Sequence, residues 1–575
     1  MKQIRDYMKP YLTSYIIASC CLVLSLGLEL SFPMVTRVLI NEVFSGGDFH
    51  RFGRMILFIL LIGLGKGVFG YIKEFTFDRN STRIGTAIRK DLFAHIQTLS
   101  MDYFDNTNTG VLMSRLMSDV EALQNLFGMT SMFIVELTLN LIGIMACMLY
   151  LDWQLTLLPL FAMAIGVAFS FLLEKKLDAV YGEISEATAD LNTVAEENLS
   201  GVKTVRAFAR ESHEINRFRS RNRRFYEANM DQTKTLVRYR PVCDFIGAVL
   251  PVACAIGGGI QILRGRMDAG SLVAFVAYSR NCTWPLEMIA ELANEFSSCM
   301  ASYRKLRAIA EKEPDLAEVP ASAIGEEALR GDLTFSHVSH SFDGHRVLED
   351  ISFTLPQGRT LGIMGATGSG KSTILNLLQR FYDPQEGSIL LDGKDLRTLP
   401  LETVRRASAL VMQDVFLFSD TIHENIRMGR SGTLSSDFLR SCAGKAQAAD
   451  FIEQLEDGYE TVIGERGVGL SGGQRQRISI ARALAQERPI LALDDATSAL
   501  DTETEHEFQR VLNQTHGVSK IIIAHRISAV RHADEILYLD QGRIAERGTH
   551  EELLALGGLY YETYMAQYPT LKEVI

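Results

Sequence analysis

TLGIMGATGSGKST, residues 360–373, is the stretch that decides the fold of the second half of this chain. Its first five residues read as a buried strand, Gly365-Ala366-Thr367-Gly368-Ser369-Gly370-Lys371-Ser372 follow as a loop, and residues 373–381 read as a helix. This order is typical of the phosphate-binding loop G-x-x-x-x-G-K-S. Glycines let backbone N–H groups surround phosphate oxygens, and the helix N-terminus adds positive potential. The stretch therefore predicts an α/β P-loop ATPase domain.

The loop and a later strand predict an ATP site with Mg²⁺. We expect Lys371 to reach the β- and γ-phosphates and Ser372 to bind Mg²⁺. A second apolar strand at 489–493 leads to Asp494 and Asp495, and a carboxylate at this place would hold the metal ion. The expected nucleotide contacts within the loop are Gly365, Thr367, Gly368, Ser369, Gly370, Lys371, Ser372 and Thr373.

Composition limits the classes of protein that the whole chain can be. It has 575 residues, with 58 Lys+Arg against 69 Asp+Glu, so the formal net charge is −11. This balance disfavours a nucleic-acid binder, because such proteins neutralise phosphates with basic residues. Hydrophobic residues make up 47% and charged residues 22%, which excludes a disordered chain. The mean hydropathy of +0.07 averages an apolar first half and a polar second half.

Six apolar runs before residue 300 predict membrane spans. Each is close to the ~20 residues that a helix needs to cross a bilayer, and the last is interrupted by Arg280, Glu287 and Glu291. The first run continues without a cleavage pattern, so we expect an uncleaved span rather than a signal peptide. Only about ten residues precede this run, so no N-terminal peptidase domain is expected. The runs are 11–30, 55–71, 129–151, 155–173, 242–263 and 271–296.

Basic residues predict the orientation of these spans. Lys and Arg concentrate in the long segments after the second and fourth runs, so these segments and both termini of this multi-pass membrane protein are expected in the cytoplasm. Their helical periodicity predicts spans that continue as helices beyond the bilayer. The basic run 217–224 is better explained as a solvated helix face than as a nucleic-acid site. Glu29, Glu136 and Asp244 lie within apolar runs, where they either attract a cationic substrate or pair with Lys66 and Arg280.

A second glycine-rich element lies between the phosphate loop and the acidic strand. Leu470-Ser471-Gly472-Gly473-Gln474 opens a helix over 475–484, and backbone donors at a helix start suit an anion. With the spans and the phosphate loop, this element resembles the ATP-binding cassette (ABC) family over essentially the whole chain. The resemblance is to exporter-type half-transporters, which function as dimers. It implies a polytopic α-helical membrane domain with six spans (1–310), a linker (311–330) and a nucleotide-binding domain (331–575).

The resemblance also implies roles for single residues. Phe342 matches the aromatic residue that stacks on adenine, and Gln413 matches the glutamine that links the metal site to the membrane helices. His525 resembles the γ-phosphate histidine, and Ser471, Gly472, Gly473 and Gln474 would contact the nucleotide of a partner subunit. Segments 104–119 and 197–202 resemble the two intracellular loops. Residues 464–467 and 498–501 resemble loops at the transmission and dimer interfaces.

One position departs from the family pattern. The family usually has Glu after the Mg²⁺ aspartate, where it polarises the attacking water, and this chain has Asp495. Asp is shorter by one C–C bond, ~1.5 Å, and a ~1 Å misplacement can cost about 100-fold in rate. We therefore expect weak hydrolysis at this chain's own phosphate loop. The pattern resembles the degenerate-site subunit of a bacterial heterodimeric multidrug exporter, which implies a bacterial plasma membrane. A homodimer, or an Asp that works through a water, stays open.

The expected function is ATP-driven export of hydrophobic or amphipathic small molecules by alternating access. Export of a lipid or lipopeptide, siderophore import on an exporter fold, and an ATP-gated membrane regulator remain as alternatives. A soluble DNA-maintenance ATPase would share both glycine-rich elements, but the six apolar runs argue against it. The expected partners are a second half-transporter, membrane lipid and an amphipathic substrate, with no nucleic acid.

Overall fold

The chain divides into two compact units. A computed structural model describes residues 4–45, 49–314, 316, 329–428, 434–464 and 467–568. The first unit comprises Met1–Thr98 and Thr107–Glu313, and the second comprises Leu99–Asn106 and Pro314–Ile575. Most of the predicted linker 311–330 lies outside the described residues.

The first unit is helical throughout its described part. Twelve α-helices lie in the described residues before 314, and α4 among them belongs to the second unit. They are α1 (Ile4–Met8), α2 (Leu12–Val38), α3 (Phe52–Ile96), α4 (Met101–Asp105), α5 (Thr109–Ser114), α6 (Val120–Asn125), α7 (Ser131–Leu151), α8 (Trp153–Ser200), α9 (Val202–Ala207), α10 (Glu211–Leu263), α11 (Ala269–Asn281) and α12 (Thr283–Ala310).

Five helical segments in the described residues are long and apolar enough to cross a membrane. They are Arg5–Phe44, Phe52–Ile96, Thr109–Leu151, Trp153–Ser200 and Glu211–Leu263. The second of these has 45 residues, which is about 68 Å of helix. This length is more than twice the ~30 Å of a hydrocarbon core. The helix is therefore long enough to extend beyond the bilayer, as the helical periodicity after the apolar runs predicts.

The sixth apolar run differs from the expected single helix. Helices α11 and α12 meet at Cys282, in the middle of the run 271–296. Pro285 therefore lies in the first turn of α12, where its missing N–H costs no intrahelical hydrogen bond. The expectation of one continuous helix is corrected to two helices joined at Cys282.

The basic run 217–224 forms ion pairs between α8 and α10. Arg217 contacts Glu197 at 2.9 Å, and Arg221 contacts Asp190 at 3.3 Å. Arg224 contacts Glu186 at 2.9 Å and Asp190 at 2.8 Å. These side chains are partly exposed, which agrees with a solvated helix face.

Two acidic residues within the apolar runs are paired with lysines. Lys66 Nζ lies 3.1 Å from Glu29, and Lys73 Nζ lies 2.5 Å from Glu136. The second pair is the more buried, with side chains 7% and 19% exposed. Pairing therefore accounts for Glu29 and Glu136, although the partner of Glu136 is Lys73 rather than Lys66 or Arg280. Asp244 is exposed.

Removing one partner of the buried pair is expected to destabilise the protein. Lys73→Met leaves the Glu136 carboxylate buried without its counter-charge, which costs about 3–5 kcal/mol. The double variant Lys73→Met/Glu136→Leu should recover most of this loss, because it removes both charges. The apparent melting temperature in lipid nanodiscs measures both effects. Lys66→Met, at the more exposed pair, is the matched control with a loss of about 1 kcal/mol or less. A double variant as unstable as Lys73→Met would contradict the prediction.

The second unit contains two sheets. The strands are β1 (Leu333–Phe342), β2 (His345–Leu355), β3 (Thr360–Gly365), β4 (Glu386–Leu391), β5 (Lys394–Asp395), β6 (Ser408–Val411), β7 (Ile490–Asp494), β8 (Ser519–Ile523), β9 (Glu535–Asp540) and β10 (Arg543–Gly548). One sheet is antiparallel with the order β2-β1-β4-β5. The other has the order β10-β9-β3-β8-β7-β6, in which β10 alone runs antiparallel to its neighbour.

Helices flank these sheets, because strands buried on both faces need cover on each side. Residues of β3, β7 and β8 are almost completely buried. The helices are α13 (Lys371–Leu378), α14 (Leu401–Ala407), α15 (Ile422–Arg427), α16 (Ser436–Lys445), α17 (Ala449–Glu453), α18 (Gly472–Ala485), α19 (Thr502–Gln514), α20 (Ile527–Val530), α21 (His550–Leu556) and α22 (Leu559–Gln567). The predicted strands at 360–364 and 489–493 and helices at 373–381 and 475–484 differ from the observed bounds by a few residues.

Strand order determines which sequence motifs meet. Strands β3, β8 and β7 are consecutive parallel neighbours, so their carboxyl ends lie at one edge of the sheet. The phosphate loop follows β3, His525 follows β8, and Asp494 ends β7. Ligands of parallel α/β sheets bind at this edge.

Candidate functional site

The phosphate loop adopts a conformation that requires glycine. Gly370 has φ +94°, in the left-handed region, and a Cβ there would lie 2.8 Å from the Val347 carbonyl oxygen. A Cβ on Gly365 would lie 2.2 Å from the Leu539 carbonyl oxygen. Side chains at these two positions would therefore push the loop off the strands that support it.

Lys371 is buried beneath this loop. Its Nζ donates to the carbonyl oxygens of Gly365 at 2.9 Å and Ala366 at 2.7 Å. Burial lowers the pKa of Lys371, and the charges of Asp494 and Asp495 oppose that shift. The Ser369 hydroxyl is also buried, without a hydrogen-bond partner among the described residues. A buried ammonium on neutral carbonyls and a hydroxyl without a partner both fit a phosphate group.

Ser372 and Asp494 form an oxygen-rich pair suited to Mg²⁺. The Ser372 hydroxyl interacts with the Asp494 carboxylate. Burial raises the pKa of Asp494 and Asp495 adds to the shift, while Ser372, Lys371 and His525 oppose it. No group of three His, Cys, Asp or Glu that could hold a metal ion occurs among the described residues. Mg²⁺ usually takes one or two protein oxygens and completes its shell with phosphates and water, so the donor set fits this ion.

Asp495 has a fixed backbone. Its φ is +47°, a conformation that Asp adopts more readily than most residues. Its N–H donates to the Ile523 carbonyl at 2.9 Å, and its own carbonyl accepts from Gln476 Nε2 at 3.1 Å and from Ser498 Oγ at 2.9 Å. The place of the carboxylate therefore depends on the length of the side chain.

The structure also places the remaining predicted site residues. Gln413 is exposed and follows β6, the neighbour of β7, and His525 is exposed and follows β8. Phe342 ends β1 and packs edge-to-face on Tyr382, with ring centroids 5.0 Å apart. Thr367 is exposed and Thr373 is buried. The sheet thus brings the phosphate loop, Asp494, Asp495 and His525 to one edge, and the roles of all these residues remain predictions.

The second glycine-rich element forms the N-terminus of α18. The Ser471 hydroxyl accepts from Gln474 N at 3.2 Å, and Gln474 Oε1 accepts from Ser471 N at 2.8 Å. This capping box fixes the first turn. A Cβ on Gly473 would lie 2.9 Å from the Ala499 carbonyl, so the helix start packs directly against the segment 498–501.

Two buried polar residues of α18 were not predicted from the sequence. Gln476 donates to the Asp495 carbonyl and accepts from Ala499 N at 3.0 Å, so it joins the helix to the site. Arg482 donates to the Phe416 carbonyl at 2.9 Å and to the Asn425 carbonyl at 2.8 Å, and burial lowers its pKa to about 10. It holds the loop that follows Gln413. The only indication of Gln476 and Arg482 in the sequence is that each is a polar residue on the inner face of a predicted helix.

One of the predicted loops is described only in part. Within 464–467, Glu465 and Arg466 lie outside the described residues. In the first predicted intracellular loop, the Asp105 carboxylate accepts a hydrogen bond from the Tyr382 hydroxyl, and both residues belong to the second unit.

Comparison with known families covers both units. Residues 15–286 match the family described as ABC transporter transmembrane region. Residues 348–498 match the family described as ABC transporter.

Individual relatives match along the full chain. The chain is 35% identical over 576 residues to the uncharacterized ABC transporter ATP-binding protein YknU of Bacillus subtilis (strain 168), covering 100% of this chain and 98% of the relative. It is 34% identical over 563 residues to the ATP-dependent lipid A-core flippase of Sodalis glossinidius (strain morsitans), covering 97% and 96%. Among solved structures, a bacterial Atm1-family ABC exporter with ATP bound matches with a TM-score of 0.81 and 28% identity, covering 97% of this chain and 98% of that one.

Proposed function

Because the chain belongs to the ABC transporter family, as an exporter-type ATPase with fused transmembrane and ATP-binding domains, we propose that it exports hydrophobic or amphipathic small molecules. The observation that carries the substrate class is the pairing of charges in the membrane half. Lys73 neutralises Glu136 and Lys66 neutralises Glu29, so these groups offer no net charge to a substrate. Apolar and amphipathic molecules of the multidrug type suit such a surface best.

The residues of the second unit would use ATP in defined ways. Lys371 and the loop backbone bind the phosphates, and Ser372, Asp494 and Gln413 hold Mg²⁺, which would neutralise phosphate charge. His525 contacts the γ-phosphate, Phe342 stacks on adenine, and Asp495 orients water. The α18 N-terminus binds the nucleotide of a second subunit, since ABC exporters work as dimers. Closure of the two ATPase domains then drives alternating access, and hydrolysis resets it.

We further propose that this chain is one half of a heterodimer. The short Asp495 side chain on its fixed backbone supports a weakly hydrolytic site at this chain's own phosphate loop. The intact Ser471–Gln474 element would complete a competent site on the partner. The bacterial relatives support a bacterial plasma membrane, and the bias of Lys and Arg towards the long loops supports both termini and the ATPase domain in the cytoplasm.

A second candidate function is the export of a lipid. Full-length relatives from several bacteria are ATP-dependent lipid A-core flippases, at 32–34% identity. A lipid is also amphipathic, so the paired charges in the membrane half suit it equally well.

Transport in inside-out vesicles tests these functions. Vesicles with the chain and a second half-transporter subunit should accumulate a fluorescent amphipathic dye when Mg·ATP is added outside. Accumulation of a fluorescent lipid in the inner leaflet instead would identify the lipid exporter. Movement in the opposite direction would indicate import, and nucleotide binding without any accumulation would indicate a gated regulator. Either of the last two results would refute export.

A further inference from the structure

The segment that carries His525 is held by a side chain from the end of the described chain. Gln567, the last residue of α22, donates from Nε2 to the His525 carbonyl at 2.7 Å. Its Oε1 accepts from Ile527 N at 3.0 Å. The carboxamide of Gln567 therefore forms hydrogen bonds with the backbone on both sides of Arg526. A rotation of the backbone at His525 would break at least one of these hydrogen bonds.

Helix α22 is itself firmly anchored. The Glu546 carboxylate accepts from Leu559 N at 2.5 Å and from Tyr560 N at 3.0 Å, which caps the first turn. Tyr560 is fully buried, and the Thr563 and Tyr538 hydroxyls are 2.9 Å apart. These contacts fix the helix against the sheet, so the position of Gln567 follows from the packing of the domain.

The same segment is held on its other side by α19. Arg526 Nη1 donates to Glu505 at 2.9 Å, and Ser528 Oγ donates to the other oxygen of that carboxylate at 2.9 Å. The Glu505 side chain is only 7% exposed. Because Glu505 fixes residues 526–528 on this side, the hydrogen bond from Gln567 is the contact that limits rotation of the backbone at His525.

We propose that Gln567 is a positioning residue that directs the His525 side chain towards the terminal phosphate of bound ATP. The proposal rests on the γ-phosphate role proposed above for His525. The Gln567 side chain bonds to the backbone of His525 and Ile527, so it acts through the backbone of the histidine. Because Gln567 lies at the surface, its replacement should leave the domain folded.

Nucleotide discrimination by the full-length chain in nanodiscs tests this role without using hydrolysis. Equilibrium binding of the Mg²⁺ complexes of ATPγS and ADP gives an affinity ratio that reports the contact to the third phosphate. Loss of these two hydrogen bonds in Gln567→Leu should lower the ratio about fivefold, with ADP affinity unchanged within about twofold. Gln567→Glu should lower it as well, because it keeps the acceptor for Ile527 N and loses the donor to His525.

A double-variant cycle separates positioning from a general structural role. His525→Ala should lower the ratio, and adding Gln567→Leu should lower it no further. Gln514→Leu, at an exposed glutamine that also ends a helix, is the matched control and should leave the ratio unchanged. An unchanged ratio in Gln567→Leu, or a further fall in the His525→Ala background, would overturn the proposal. An unchanged ratio in His525→Ala would overturn both this proposal and the γ-phosphate role of His525, which distinguishes the two failures.

Discussion

Replacing Asp495 by Glu is expected to raise ATP hydrolysis at this chain's own phosphate loop about 100-fold. The backbone of Asp495 is held by Ile523, Gln476 and Ser498, so it should stay in place when the side chain changes. The added methylene then moves the carboxylate forward by ~1.5 Å, to the position where the family's Glu polarises water. Release of inorganic phosphate by the purified full-length chain measures the rate.

Asp495→Asn is the matched control for this prediction. It keeps the size of the side chain and, like Asp, tolerates the left-handed conformation at φ +47°. Without a carboxylate it should remove the residual activity rather than raise it. If Asp495→Glu hydrolyses ATP no faster than the wild-type chain, the degenerate-site hypothesis is wrong, and Asp495 acts well enough through an intervening water.

Lys371→Met is expected to weaken the binding of Mg·ATP about 100-fold. This factor corresponds to the loss of one strong charge-assisted hydrogen bond to phosphate. Methionine keeps a similar apolar stem in the buried site. In the structure, the Lys371 ammonium bonds only to the carbonyls of Gly365 and Ala366 among the described residues, so its loss breaks no ion pair of the fold. Titration of the full-length chain with a fluorescent ATP analogue measures the affinity.

Lys520→Met provides a control of the same residue type and burial. Lys520 is 6% exposed, and its Nζ donates to the Thr515 carbonyl at 2.7 Å. It lies in β8 near the amino end, away from the carboxyl edge that carries the phosphate loop. We expect affinity within about twofold of the wild type. Equal losses in both variants would show that burial of a cation, not contact with phosphate, explains the effect of Lys371.

Motifs that lie close together in the sequence were predictable, because local chemistry determines them. The glycines of 365–370 indicate the phosphate-binding loop, and the apolar run before Asp494 indicates the strand that ends at this residue. Parallel pairing then explains why Lys371, Asp494 and His525 reach one edge of the sheet.

Contacts between distant parts of the chain were not predictable. Gln567 lies 42 residues from His525, and Lys73 lies 63 residues from Glu136, so only tertiary packing brings each pair together. The sequence suggested that Glu136 would find a lysine or arginine but could not say which. The boundary at Cys282 was not predictable from the sequence, because the apolar run continues through it and hydropathy does not report where one helix ends and the next begins.

The ion pairs between α8 and α10 have a mechanical consequence. Helix α10 has 53 residues, and Pro241 lies inside it. The part before this proline, residues 211–240, is about 45 Å long, and Arg217, Arg221 and Arg224 fasten it to α8 as a two-helix lever. A tilt of about 10° around one end would move the other by about 8 Å. Since electrolyte screens exposed charges, higher ionic strength should loosen this fastening and make the lever more compliant.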